Sequence, residues 1–170
     1  MQQAQAGSTS RFRVPTARDA WLLGLSGVVV SLDQLVKWFI RLWVDRGEVP
    51  LDLGIVKLVH VTNSGAAFGL FQGAAPLLAA TSLVGIAVIV IYLLNPAFAH
   101  PLIRVGLALM FGGAIGNLID RVRAGEVVDY VKFPHYPAFN VADSAITIGV
   151  IALIIGTLWE PKTEPNDGRS

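Results

Sequence analysis

Two aspartates, Asp129 and Asp143, stand 14 positions apart in GEVVDYVKFPHYPAFNVADSAITIGVIALIIG (125–156), just before a long apolar tract. Two carboxylates that meet share a proton, and such a pair supplies a general base and a general acid without a metal. Other chemistries fit these residues poorly. The chain has no cysteine, and His60, His100 and His135 lie 40 and 35 residues apart with no HExxH, so zinc-ligand spacing is missing. Ser64 follows Asn63 near His60 but lacks a GxSxG elbow. Spacing alone leaves two plainer readings open. Asn140 or Asp143 can cap the helix that starts here, where a carboxylate is favourable by ~0.3–1 kcal/mol. Asp129 can be a solvated loop residue. Acidic groups also cost far less at a membrane border than at its midplane.

Other polar residues punctuate apolar stretches. Asp33 and Lys37 are four apart and share a helical face, where they can pair. Ala108, Gly112 and Gly116 recur at the spacing that lets helix backbones approach in lipid, and Asn117, Asp120 and Arg121 follow at once. From the pattern alone, Asp120 and Arg121 read as an interfacial ion pair ending that helix.

The elements that must position these residues are membrane helices. The 170 residues are 54% hydrophobic and 15% charged, with mean hydropathy +0.60, against about 25% charge in soluble domains. No Asp, Glu, Lys or Arg occurs between Lys57 and Arg104, and 74–94 holds 21 uncharged residues, enough to cross a hydrocarbon core of about 30 Å. Two tracts of fifteen, 105–119 and 145–159, span once Arg104, Asn117, Val141 and Asp143 belong to their helices at interface depth. Residues 21–32 are apolar after a basic tail. No small-x-small cleavage site follows, so they read as a first membrane helix rather than a signal peptide. The expectation is an all-α membrane protein with four transmembrane helices, about 20–40, 74–94, 102–119 and 141–159. Polar tails flank them at 1–19 and 160–170. In the 41–73 loop, Ile55, Leu58, Val59 and Val61 suggest a short β-like segment on the membrane surface, and NSGAAFG (63–69) is turn-prone.

Four spans put both termini on one side. The tails and the 95–104 turn carry six Lys and Arg; Lys37 and the two longer loops carry seven. Totals therefore hardly orient the chain, and the arginine-rich N-terminus places the tails in the cytoplasm and the carboxylates outside. A net charge of +1 gives no basic footprint for nucleic acid. A non-enzymatic alternative is a small carrier or assembly protein using Asp33, Asp120, Asp129 and Asp143 as a proton or cation path.

Five segments in order, DQLVK (33–37), NSGAAFG (63–69), GGAIGNLIDR (112–121), EVVDYV (126–131) and FNVADSAI (139–146), closely resemble bacterial lipoprotein signal peptidases (signal peptidase II). The resemblance covers about 20–158. It implies an aspartyl endopeptidase of the bacterial inner membrane, acting as a monomer without a cofactor. Its substrates would be prolipoproteins, cut just before a diacylglyceryl-modified cysteine, with the lipid remaining in the bilayer. It implies Asp129 and Asp143 as the catalytic pair and Asp120 as structural. Asn63, Asn117, Arg121 and Asn140 would line or order the substrate groove, and Asp33 would hold the scaffold. Departures are Tyr130, where phenylalanine is common, and the compact 132–138 segment.

Overall fold

The computed structural model describes residues 20–64 and 75–159. The tails at 1–19 and 160–170 and most of NSGAAFG lie outside the described residues. Among the described residues four helices are long and apolar enough to cross a membrane: α1 (Ala20–Trp43), α2 (Ala75–Leu94), α3 (Pro101–Ala124) and α4 (Val141–Trp159). Between them a small antiparallel sheet forms from β1 (Leu51–Asp52), β2 (Lys57–Asn63) and β3 (Val127–Lys132), in that spatial order. The expected surface segment is thus β2, and EVVDYV supplies its partner strand.

Helix α3 is central because its small residues let neighbours approach. A Cβ on Gly112 would lie 2.8 Å from the Ser26 carbonyl of α1, and one on Gly106 would lie 2.6 Å from the Gly149 carbonyl of α4. The Ser26 hydroxyl donates to the Ala108 carbonyl at 2.8 Å. The stripe Ala108–Gly112–Gly116 therefore packs on α1, as its spacing predicts. Helix α1 turns Leu22, Ser26, Val29, Asp33, Lys37 and Ile40 inward at steps of three and four, so its buried face is polar toward its end. Helix α2 joins α3 through apolar contact, with Ile89 against Ile103 and Leu107.

Two helices run longer than expected. Helix α1 ends at Trp43 instead of residue 40, and α3 runs from Pro101 to Ala124 instead of 102–119. Arg41 and Asp120 pair with each other, so the charges that end the uncharged tracts sit inside helices. Gly125, at φ 73°, stops α3 by donating its N–H to the Arg121 carbonyl. Such a left-handed C-terminal residue favours glycine.

Ile40 and Val44 at the end of α1 form one apolar cluster with Val128 and Tyr130 of β3. That contact seats the sheet on the ends of α1 and α3, and hence sets the height of Asp129.

Candidate active site

Asp129 sits in β3, opposite Val61 of β2, and is 2% exposed. It is therefore not a solvated loop residue. Strand alternation turns Asp129 to the face opposite Val128 and Tyr130, which pack on α1. Asn140 directly precedes α4 and donates its Nδ2 to Asp129 Oδ1 at 2.7 Å. Asn63, at the end of β2, also hydrogen-bonds Asp129 through its side chain.

Asp143 lies in the first turn of α4 and is partly exposed. The Asp143 N–H donates to Asn140 Oδ1 at 2.9 Å, and the Asn140 N–H donates to Asp143 Oδ2 at 3.3 Å. This is a reciprocal capping box. The capping reading is thus correct for both residues, and it coexists with a place in the site. The remaining orphan donors of α4 are also met. Val141 N–H donates to the Tyr130 hydroxyl at 3.0 Å, and Ala142 N–H donates to Asp33 Oδ1 at 3.0 Å. A fully capped terminus holds Asp143 in place.

Asn117 of α3 joins the halves. Its Nδ2 donates to Asp143 Oδ1 at 2.7 Å, and its Oδ1 accepts from Asn140 Nδ2 at 3.2 Å and from Lys37 Nζ at 2.9 Å. The ammonium of Lys37 can only donate. It therefore fixes which end of the Asn117 amide is oxygen, leaving Nδ2 for Asp143. The polarity then runs on through Asn140 to Asp129. Each carboxylate receives an amide N–H whose orientation is set by one buried lysine.

Below this layer Lys37, fully buried, pairs with Asp33 at 2.8 Å and Asp120 at 3.0 Å. Arg41 bonds Asp120 at 2.8 Å, and Gln34 Nε2 reaches Asp120 Oδ1 at 3.2 Å. Two cations meet two carboxylates, so the buried cluster is neutral, the condition under which buried charge is tolerated. The anticipated Asp33–Lys37 pair is present. The anticipated Asp120–Arg121 pair is not: successive helical residues diverge by about 100°, and Asp120 faces α1 while Arg121 donates to Ser82 Oγ of α2 at 2.8 Å.

The Asp129 carboxyl is pushed up to about 6, first by burial and then by the charge of Asp143; hydrogen bonds from Asn63 and Asn140 and the charge of Lys37 oppose this. Two cavities reach Asp143. One, of about 610 Å³, is lined by Phe133, Tyr136, Phe139, Thr147 and Ile148. The other, of about 460 Å³, lies between α2, α3 and α4, with Ser82, Met110, Asn117, Arg121 and Ile146 on its walls. Both are largely apolar, with the carboxylate at the edge.

Among the described residues no cluster of three His, Cys, Asp or Glu has metal-ligand geometry. His60 bonds the Val44 carbonyl through Nδ1 at 2.6 Å, and His100 caps α3. Neither joins the site. Gln34, Arg41, Tyr130 and Ser82 are participants that motif reading missed. Asp33, Lys37 and Arg41 fall at i, i+4 and i+8, a polar stripe visible in sequence; Tyr130 and Ser82 carry no such signal.

A family profile described as signal peptidase (SPase) II matches residues 25–159. The lipoprotein signal peptidase of Bacillus pumilus is 45% identical over 79% of this chain and 90% of its own length. That of Desulforapulum autotrophicum is 41% identical, with the same coverage. A bacterial membrane enzyme structure solved in meso at 2.3 Å resolution superposes with TM-score 0.77 at 29% identity, over 89% of this chain and 95% of the other. With four membrane-length helices and a family match running from α1 to the end of α4, this chain is a multi-pass membrane protein and belongs to the signal peptidase II family.

Proposed function

We propose that this peptidase hydrolyses prolipoproteins just before a lipid-modified cysteine, using Asp129 and Asp143 as a metal-free pair. The observation that carries this reading is the Asn117–Asn140 chain, which bonds both carboxylates while one of them binds its proton unusually tightly. Asp129, deeper and raised, holds the shared proton. Asp143, at the cavity edge, takes a proton from water as its oxygen attacks the scissile carbonyl. Asp129 gives its proton to the carbonyl oxygen, forming a neutral tetrahedral diol. On collapse the diol returns a proton to Asp129, and Asp143 protonates the leaving amine. The pair ends as it began. Arg121 and Asn63 order the substrate on either side, while Asp33 and Asp120 hold the scaffold.

The apolar cavities suit a signal helix and acyl chains that stay in lipid while water reaches the peptide bond at the interface. We place the unit, residues 20–159, in the bacterial inner membrane as a monomer, with both tails cytoplasmic and the site near the outer face. A carrier would need ionisable groups along a path through the bilayer. Asp33, Asp120, Asp129 and Asp143 instead gather in one network at one end of the bundle.

The test is cleavage of a lipidated prolipoprotein in detergent, followed by gel shift. Asp129→Asn and Asp143→Asn should each abolish cleavage while the protein still inserts and melts cooperatively. Near-native turnover by either variant removes the pair from the mechanism. Chelators should leave the native rate unchanged.

A further inference from the structure

On the side of the bundle that bears the sheet, a separate cavity of about 290 Å³ opens between the ends of α1 and α3 and strands β2 and β3. Its polar lining is Arg41, Asp45, Arg46, His60 and Glu126. It shares no residue with the two cavities that reach Asp143.

The charges say what it can hold. Arg41 and Lys37 already balance Asp33 and Asp120. Among the described residues the other Arg, Asp and Glu of the lining are one arginine and two carboxylates, which disfavours a bare anion. A guest with a cationic and an anionic end fits better. Arg46 pairs with Glu126 at 2.7 Å, with the two side chains 70% and 24% exposed. Such exposed pairs are worth about 0–1 kcal/mol, so each partner can exchange the other for a guest group at little cost. Arg41 uses Nη2 on Asp120, and a guanidinium has further N–H groups in its fork.

His60 sharpens the choice. It is 4% exposed, and its Nδ1 faces the Val44 carbonyl at 2.6 Å. A carbonyl only accepts, so Nδ1 carries the proton and Nε2 of the neutral ring is an acceptor. The lining thus includes three side chains able to accept from a primary ammonium: Asp45, Glu126 and His60. Among the described residues no Phe, Tyr or Trp lines it, so they form no aromatic cage of the kind that receives quaternary ammonium. Trp38, Leu42 and Trp43 stand exposed on α1 around Arg41. Tryptophan collects at the headgroup level of bilayers, so the cavity lies where headgroups are.

We propose that this cavity binds the phosphoethanolamine headgroup of a membrane lipid, with the phosphate on Arg46 and Arg41 and the ammonium on Asp45, Glu126 and His60. The site is independent of the catalytic pair, although Arg41 links it to that pair's support through Asp120, Lys37 and Asn117.

The test is native mass spectrometry of the full chain, released from nanodiscs holding equal amounts of phosphatidylethanolamine, phosphatidylcholine and phosphatidylglycerol. One ethanolamine lipid should be retained over each of the others by about tenfold, the scale of one charge-assisted hydrogen bond. Asp45→Asn combined with Glu126→Gln should bring ethanolamine and choline lipids to parity. Equal retention of all three lipids by the native protein overturns the proposal, as does an undiminished preference in the folded double variant. The native protein supplies a second arm if the variant does not fold. Soluble glycerophosphoethanolamine should displace the retained lipid, and glycerophosphocholine and inorganic phosphate should not. Displacement by inorganic phosphate equal to that by glycerophosphoethanolamine would show a simple anion site and overturn the proposal.

Discussion

Lys37 is a single ammonium on which four oxygens or amides depend, directly or through Asn117. Replacing it with methionine leaves Asp33 and Asp120 buried with only Arg41 to balance them. Breaking a buried pair in this way costs about 3–5 kcal/mol, so Lys37→Met should melt far below the native protein. Adding Asp33→Asn should recover part of that loss, which a double-mutant cycle of melting measures. Tyr130→Phe is milder: it removes the hydroxyl that caps Val141 and should cost about 1 kcal/mol, read as a lowered melting temperature. For Asp129 the direction of pH dependence is fixed by its raised proton affinity. The folded state binds this proton more tightly than the unfolded chain. Its contribution to stability is therefore present below the ordinary carboxylate range and is lost as pH rises through about 6. In the proposed mechanism the same deprotonation removes the acid of the pair, so kcat/KM should fall on the alkaline side with an apparent pKa near 6. A kcat/KM that climbs from pH 6 to 8 would reject Asp129 as the proton holder. In Asp143→Asn the neighbouring charge is gone, and a carboxyl NMR titration should find the Asp129 value lowered.

Helix positions carry the next scale of the design. Gly106 and Gly149 meet backbone to backbone, each leaving no room for a Cβ on the other's side. Gly106→Ala must push α4 off α3, at about 1–3 kcal/mol for an overpacked contact. Because Asp143 rides on α4, activity should fall with stability. Gly24→Ala has nothing within 4 Å of the added carbon and should be neutral in both assays. Equal effects of the two changes would show that the α3–α4 approach does not position the site. The sheet makes a parallel point. β3 is held to α1 by Val128 and Tyr130, and Asp129, between them in sequence, faces the other way toward Asn140. Alternation in EVVDYV is visible in the sequence, but the pairing of β3 with β2 is long-range and leaves no local mark.

For the whole molecule, four apolar tracts without charge could be read directly, because the bilayer demands length and hydrophobicity from each span independently of its neighbours. The same rule misjudged the ends of α1 and α3. It stopped at Arg41 and Asp120, charges that pair with each other across the two helices. The candidate pair was narrowed in sequence by the absence of thiolates and of metal-ligand spacing, and by the ordered motifs of the family. Spacing could not separate a cap from a site at Asp143, and the fold explains why: the carboxylate caps α4 and also receives Asn117, whose network reaches Asp129. Residue types, spans and the identity of the polar residues were determined by the sequence itself, since they follow from local composition and period. The burial that raises Asp129, the lysine that orients two amides, and the meeting of β3 with the start of α4 were decided only by the tertiary structure. Each depends on groups that chain order does not bring together, from Asp129 and Asn140, 11 residues apart, to Lys37 and Asn117, 80 apart, and such meetings are a property of packing.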